Sequence, residues 1–434
     1  MMIRNDSKAT LACLLAVLAA ALILVACGGS SSTTTTTPPP PTENTVAAVV
    51  DAGPAPGVGF SNFLYVTVTV CMPGTTTCTA VPNVQVDTGS EGLRILSSAL
   101  GALAPTSGSG LPTLQDSSGD VLQECLQFAD STYIWGPVAT ADVEMAGEKA
   151  SSVPVQVIDN PAPFDVPSSC LTLGNGGNLN TLTSLGANGI IGLGNFPQDC
   201  GGACTSQSSS LPPQYFICPS GLCSVAAVPL NDQLWNPVAL FSSDNNGVLI
   251  TMPAIAANGQ TSATGSLTFG VGTQTDNALG SATLYALDEY GNFPQIVYNG
   301  TAYTSPNNST FLDTGSTGIY FLDHATLGIT ECTDLLDLYC PASPVNYTVT
   351  ASGANGTSGQ VQFTIANADP LIGPTPANPG FVAFNDLGGD GGSFPSSDEI
   401  DFGMPFFYNR SVFIGIAGMS VPGNASAPNG YFAF

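Results

Sequence analysis

The chain has 434 residues, 43% of them hydrophobic, with 5 Lys and Arg against 31 Asp and Glu and a formal net charge of −26. That excess of negative charge excludes binding to nucleic acid or to an anionic lipid surface through electrostatics. A single histidine, His324, argues against Ser-His-Asp and Cys-His enzymes, whose base and orienting group would have to be assembled around that one side chain. A surface or capping role suits it better.

Residues 1–26 begin with Arg4 and Lys8 and continue through the apolar run ATLACLLAVLAAALILVA, which reads as a secretory signal. Its end, Leu24-Val25-Ala26-Cys27, resembles the bacterial lipobox, in which the cysteine is lipidated and becomes the new N-terminus. Acyl chains contribute about 0.8 kcal/mol per buried methylene and together anchor a protein stably. Gly28 stands where an aspartate would signal inner-membrane retention, so the expected address is the cell envelope with the outer membrane favoured. The segment from Cys27 to 45 contains GGSSSTTTTTPPPPTEN, which has nothing apolar to bury and reads as a semi-extended tether. Loss of Arg4, Asp6 and Lys8 with the signal leaves 3 basic against 30 acidic groups, or −27.

From about Thr45 the signals are mostly strand: FLYVTVTV (63–70), VPVQVI (153–158), GVLITMP (247–253), GSLTFG (265–270) and QVQFTIA (360–366) are short, β-branched and separated by Gly, Pro, Asn and Ser. Helical signals are few: ILSSALGAL, LNDQLWNPVALF and DHATLG. The class is all-β with minor helices. With Cys13 in the signal and Cys27 lipidated, ten cysteines remain, at 71, 78, 125, 170, 200, 204, 218, 223, 332 and 340, an even number that suggests disulfides in an exported chain. Short loops favour Cys71–Cys78 and Cys332–Cys340, while the 200, 204, 218, 223 cluster can pair in more than one way. Zinc fits that cluster poorly, because its spacings are not those of the usual sites.

One phrase occurs twice. Asp87 to Leu96 reads DTGSEGLRIL and Asp313 to Leu322 reads DTGSTGIYFL, six of ten positions identical. Each copy is followed by a strand running into a glycine: NGIIGLGNF reaches Gly192, 105 residues beyond Asp87, and EIDFGMPFF reaches Gly403, 90 residues beyond Asp313. The pattern implies duplicated lobes, 46–260 with a Cys-rich insertion at 199–225, and 261–434. If the lobes pack about a pseudo-twofold axis, Asp87 and Asp313 meet, and two carboxyls about 3 Å apart share one proton. One is then a general base on a held water, while the other polarises a carbonyl. Gly89 and Gly315 allow the backbones to approach. Thr88 and Thr314 supply hydrogen bonds that fix the carboxylates.

These turns, with GIIGLG, GSLTFGVGTQ, FPQIVYNGTAY and FGMPFFYNRSVFIG in that order, resemble the pepsin-like aspartic peptidases from about residue 60 to the C-terminus. The stretches DTGSEGLRI, DNNGVLITMP and DFGMPFFYNRSVF are similar, more narrowly, to an uncharacterised family of pepsin-like bacterial lipoproteins. The resemblance implies two β-barrel-like lobes with a cleft between them and a catalytic pair at Asp87 and Asp313. It implies supports at Thr88, Gly89, Ser90, Thr314, Gly315 and Ser316, a peptide or protein substrate, a monomer, and neither cofactor nor metal.

It also implies a flap over the cleft, at ECLQFADSTYIWG. In pepsins a flap tyrosine bonds a tryptophan just after the first DTG; here Phe128 takes the tyrosine's position and Arg94 the tryptophan's. Tyr133 or Trp135 is a substitute if either reaches the dyad. Glu91 adds a carboxylate near the pair, with Arg94 as its expected partner. The acidic loop 385–401, holding Asp386, Asp390, Asp398, Glu399 and Asp401, has oxygen ligands for calcium but no EF-hand spacing, and reads as a solvated loop. Two functions stand: a lipid-anchored aspartic endopeptidase, and a catalytically silent surface protein of the same fold that holds a peptide, glycan or protein partner.

Overall fold

A computed structural model describes residues 44–434 apart from 56–59, 106–108, 159–164, 175, 207–212, 336 and 394–399. The leader, Cys27 and the tether as far as residue 43, as well as Asp398 and Glu399, lie outside the described residues, while Thr45, the tether's expected end, opens the strand Thr45–Val50. Strand patterning carries the architecture. In Leu64–Cys71 the apolar side chains are buried and Thr67 and Thr69 point outward, the period-2 alternation of a strand with one face on a core. VPVQVI falls within Glu148–Ile158, while GVLITMP, GSLTFG and QVQFTIA lie on Gly247–Met252, Ala263–Phe269 and Ser358–Ile365 but for their last residues, Pro253, Gly270 and Ala366.

The fold is all-β and bilobal, and the α-helices among the described residues are single turns such as Ser97–Leu100 and His324–Leu327. His324 opens the second of these behind its cap Asp323, whose carboxylate accepts from Ala325 and Thr326. LNDQLWNPVALF is two 3₁₀ turns, Leu230–Asp232 and Pro237–Leu240, rather than a helix. Pro237 explains the break, because it holds Asn236 out of the helical region.

Each aspartate ends a strand, and the two lobes repeat the same weave around it. Cys78–Asp87 runs parallel to Gly189–Leu193 with Asp87 opposite Gly192, and the outgoing Glu91–Leu96 returns antiparallel on the other side of that strand. In the second lobe Thr310–Asp313 runs parallel to Ile400–Gly403 with Asp313 opposite Gly403, and Ile319–Phe321 returns antiparallel. The glycines are required: a Cβ on Gly192 would lie 2.5 Å from the Glu91 backbone, and one on Gly403 would lie 2.0 Å from the Gly318 carbonyl oxygen. A large sheet runs on from first-lobe strands through Thr45–Val50 into Ala263–Phe269, Gly247–Met252 and Arg410–Gly415.

All ten cysteines are disulfide-bonded: Cys71–Cys78, Cys125–Cys170, Cys200–Cys204, Cys218–Cys223 and Cys332–Cys340. The two short-loop pairs form as the spacing suggested, and the ambiguous cluster resolves into neighbours. It therefore offers no free thiolates to a metal.

Candidate active site

The two turns face each other at the centre. Thr88 Oγ1 donates to the Leu312 carbonyl at 3.0 Å and accepts the Thr314 amide at 3.0 Å, while Thr314 Oγ1 donates to the Val86 carbonyl at 2.7 Å. Both threonines are buried, so this reciprocal clasp holds the two aspartate strands together without competition from water. The Gly89 amide donates to Asp87 Oδ1 at 2.8 Å and to Asp313 Oδ1 at 3.1 Å. One N–H therefore touches a carboxylate from each lobe. Gly315 N–H donates to Asp313 Oδ1 at 2.6 Å, and the Ser90 and Ser316 hydroxyls donate to Oδ2 of their own aspartates at 2.6 and 2.9 Å. No side chain fits at either glycine: a Cβ on Gly89 would stand 2.8 Å from Asp313 Cγ, and one on Gly315 2.7 Å from Asp87 Oδ1. Burial, then the adjacent Asp87 charge, pushes the Asp313 carboxyl well above the usual carboxylate range.

The pair opens into a cleft of about 370 Å³ lined on one side by Phe60, Phe63, Phe128, Leu179, Leu185 and Ile190, with Asp130, Thr132, Thr317 and Tyr320 at other points of its wall. Phe128, Ala129, Asp130 and Thr132 come from the turn of the hairpin Leu122–Gln127/Tyr133–Met145. The segment expected to form a flap thus borders the cleft that the pair opens into, with Phe128 in its wall. Tyr133 and Trp135 do not line the cleft. They pack against Cys125, Cys170 and Phe216 on the other face of the hairpin, Trp135 meeting Phe216 edge to face with centroids 5.5 Å apart. The two-residue alternation of the strand decides this, since both occupy the same face. The tyrosine that does reach the cleft is Tyr320, from the second lobe, where burial pushes its hydroxyl up to about 12. Its position opposite Arg94 in the repeat was the available signal, and a one-lobe flap comparison passes over it.

Glu91 and Arg94 also need correcting. Arg94 is fully buried, but its ion partner is Glu124 at 2.6 Å, with Asp199 at 3.4 Å; it reaches Glu91 only at the main-chain oxygen. The Glu91 carboxyl accepts the Phe196 amide at 3.1 Å instead. Burial, and next among the raising influences the Asp87 charge, lift Glu91 to about 8, so it is neutral in acid and adds no charge beside the pair.

His324 Nδ1 lies 3.2 Å from Asp390 Oδ2 and 3.3 Å from Glu331 Oε1, and these three bring potential metal ligands within 4.8 Å of one another. Asp390 already accepts the Gly392 amide on Oδ1 and the His324 amide on Oδ2, so a proton on the ring nitrogen accounts for the grouping. The hydrogen bond it donates to Asp390 raises that histidine's affinity for the proton. Asp390 and Asp401 are both buried, so the described part of 385–401 is not the solvated loop expected; Asp401 lies in the strand Ile400–Gly403, outside the grouping of His324, Glu331 and Asp390.

The interlocked threonine clasp, the matched weave of the two lobes and the hairpin over paired aspartates define a pepsin-like bilobal fold. The chain belongs to the family described as "Protein of unknown function (DUF3443)", whose model matches residues 40–434. No curated protein matches the sequence. Among solved structures it is similar to the aspartic proteinase from Irpex lacteus, at 16% identity and a TM-score of 0.46, covering 90% of this chain and 96% of that one.

Proposed function

We propose that the protein is an exported, lipid-anchored aspartic endopeptidase of the bacterial cell envelope, acting as a monomer on peptide or protein substrates, with Asp87 and Asp313 as its acid/base pair. The observation that carries this reading is the Gly89 amide, which touches both carboxylates. Acids that close cannot both ionise, and burial with Asp87's charge favours the proton on Asp313.

In the reaction, Asp87 takes a proton from a water as its oxygen bonds to the substrate carbonyl carbon, and Asp313 gives its proton to the carbonyl oxygen. The tetrahedral adduct then collapses: the C–N bond breaks, Asp87 returns its proton to the departing nitrogen, and Asp313 regains one from the adduct hydroxyl. The Ser90, Ser316 and Gly315 hydrogen bonds hold the carboxylates in place throughout, so orientation is paid for in folding. The apolar wall of the cleft suits a substrate side chain that is apolar or aromatic next to the cut. The Cys27 lipid fixes the enzyme to a membrane, outer membrane favoured, and the charge of −27 left by 3 basic against 30 acidic groups keeps it off nucleic acid.

The test is cleavage of a mixed peptide library by the full-length protein in detergent between pH 3 and 7, beside Asp87→Asn and with a statine inhibitor. Cleavage that vanishes in both controls supports the reading. The second reading, a silent binder, is favoured by Phe128, which brings no hydroxyl to the cleft from the hairpin. Folded protein that cuts nothing at any pH would move the weight to this second reading.

A further inference from the structure

We propose that Arg94 is a positioning residue that fixes the hairpin as a permanent roof over the Asp87/Asp313 pair. Its side chain joins three parts of the chain. Nε and Nη2 both donate to Glu124 Oε1 on the hairpin's first strand, at 3.2 and 2.6 Å; Nη2 reaches Asp199 Oδ2 at 3.4 Å; and Nη1 donates at 2.6 Å to the Glu91 carbonyl, directly after the Asp-Thr-Gly-Ser turn. Arg94 and Glu124 have no solvent exposure. A buried, charge-assisted link of this kind resists opening because parting it strands charge in the interior.

The rest of the hairpin is held in the same sense. On one edge Tyr215–Ile217 pairs with Leu122–Glu124, and the Tyr215 hydroxyl donates to Asp199 while accepting the Leu234 amide at 2.8 Å. On the other edge a strap passes: the Tyr133 amide donates to the Gly177 carbonyl, the Leu179 amide to the Tyr133 carbonyl, and the Gly176 amide to the Ser131 carbonyl. Gln127 bonds the strap twice, through Gly174 and Leu173, and Cys125–Cys170 joins strap to hairpin covalently. The strap lies so close that a Cβ on Gly176 would stand 2.7 Å from the Ser131 carbonyl carbon. A hairpin bound along both edges and anchored by Arg94 belongs to the high-stability part of the fold. Substrate therefore enters along the cleft, as an extended chain, and not beneath a lifted lid.

The effect on catalysis rests on the peptidase reading, but the fixation does not, so the experiment separates them. Hydrogen exchange is measured on residues 126–134 in full-length protein carrying Asp87→Asn, alone and with Glu124→Gln, Arg94→Lys or Gly176→Ala. Expected in the parent is exchange as slow as in the first-lobe sheet. Glu124→Gln, which keeps the side chain's shape, and Gly176→Ala each speed the tip about tenfold while Cys78–Asp87 is unchanged; Arg94→Lys falls between. Tip exchange in the parent as fast as in exposed loops, or a tip unmoved by every variant that folds, overturns the proposal. In protein retaining Asp87, Glu124→Gln lowers kcat/KM about tenfold without moving the pH profile, and a moved profile contradicts a positioning role. Absence of all cleavage with the exchange result intact removes the peptidase reading and leaves the fixed roof standing.

Discussion

Leaving the first aspartate turn, the chain runs through Glu91–Leu96 and buries a guanidinium against Glu124 and Asp199. Leaving the second, it runs through Ile319–Phe321 and buries a ring among rings, with Phe321 5.0 Å from Phe363, 5.2 Å from Tyr298 and 5.4 Å from Tyr347 between centroids. Around the aspartates themselves the lobes are near copies, down to the glycine opposite each carboxylate. What differs is what hangs on the outgoing strand. Among the described residues it is the first lobe whose hairpin lines the cleft, and there the outgoing strand buries a guanidinium paired with a carboxylate. Symmetry is kept at the two carboxylates, whereas the hairpin that lines the cleft comes from one lobe.

If the two turns are one unit, Asp87→Asn and Asp313→Asn each cost about 10³-fold or more in kcat, and the double variant costs no more than either alone; steady-state kinetics on the three proteins decides. The glycines come next. Gly89→Ala and Gly315→Ala each drive a methyl into the carboxyl of the other lobe's aspartate, so each should lose about 10²-fold in kcat/KM and about 1–3 kcal/mol of stability, by similar amounts in the two lobes. A large difference between them would show that the copies are not equivalent where they touch.

Glu91, which has Thr317 as its counterpart in the second repeat, breaks the comparison through pH. A carboxyl raised to about 8 in the fold, from 4.5, contributes stability fully present below pH 4.5 and lost as pH climbs through 8. Urea unfolding should therefore show the protein less stable at pH 8 than at pH 5, with about 2 kcal/mol of that loss absent in Glu91→Gln. The smallest effect is expected at the serines. Ser90→Ala removes a 2.6 Å bond and Ser316→Ala a 2.9 Å bond to the dyad, each costing about 1 kcal/mol, or several-fold in kcat.

Much of the centre was legible because it is local and repeated. Six identities in ten marked both turns, and the downstream glycines marked the strands that pair with them. The all-β class followed from β-branched runs between turn residues. The partner of Arg94 was not legible. Glu91 is three residues away and Glu124 is thirty, and only the pairing of the hairpin with its neighbours brings the second one in. Likewise Tyr133, Trp135 and Phe128 all sit near the hairpin turn, and which of them faces the aspartates depends on strand register, set by Cys125 opposite Trp135 and Gln127 opposite Tyr133. Tyr320 enters the cleft from the other half of the chain, beyond any local reading of the hairpin.

The most direct test of the central claim is calorimetry of a statine inhibitor, whose hydroxyl mimics the tetrahedral adduct between two aspartates, against the full-length protein, Asp87→Asn and Asp313→Asn at pH 4. One inhibitor should bind per chain, with binding lost in both variants while both remain folded. Equal binding to all three proteins, or none to the parent, would contradict it.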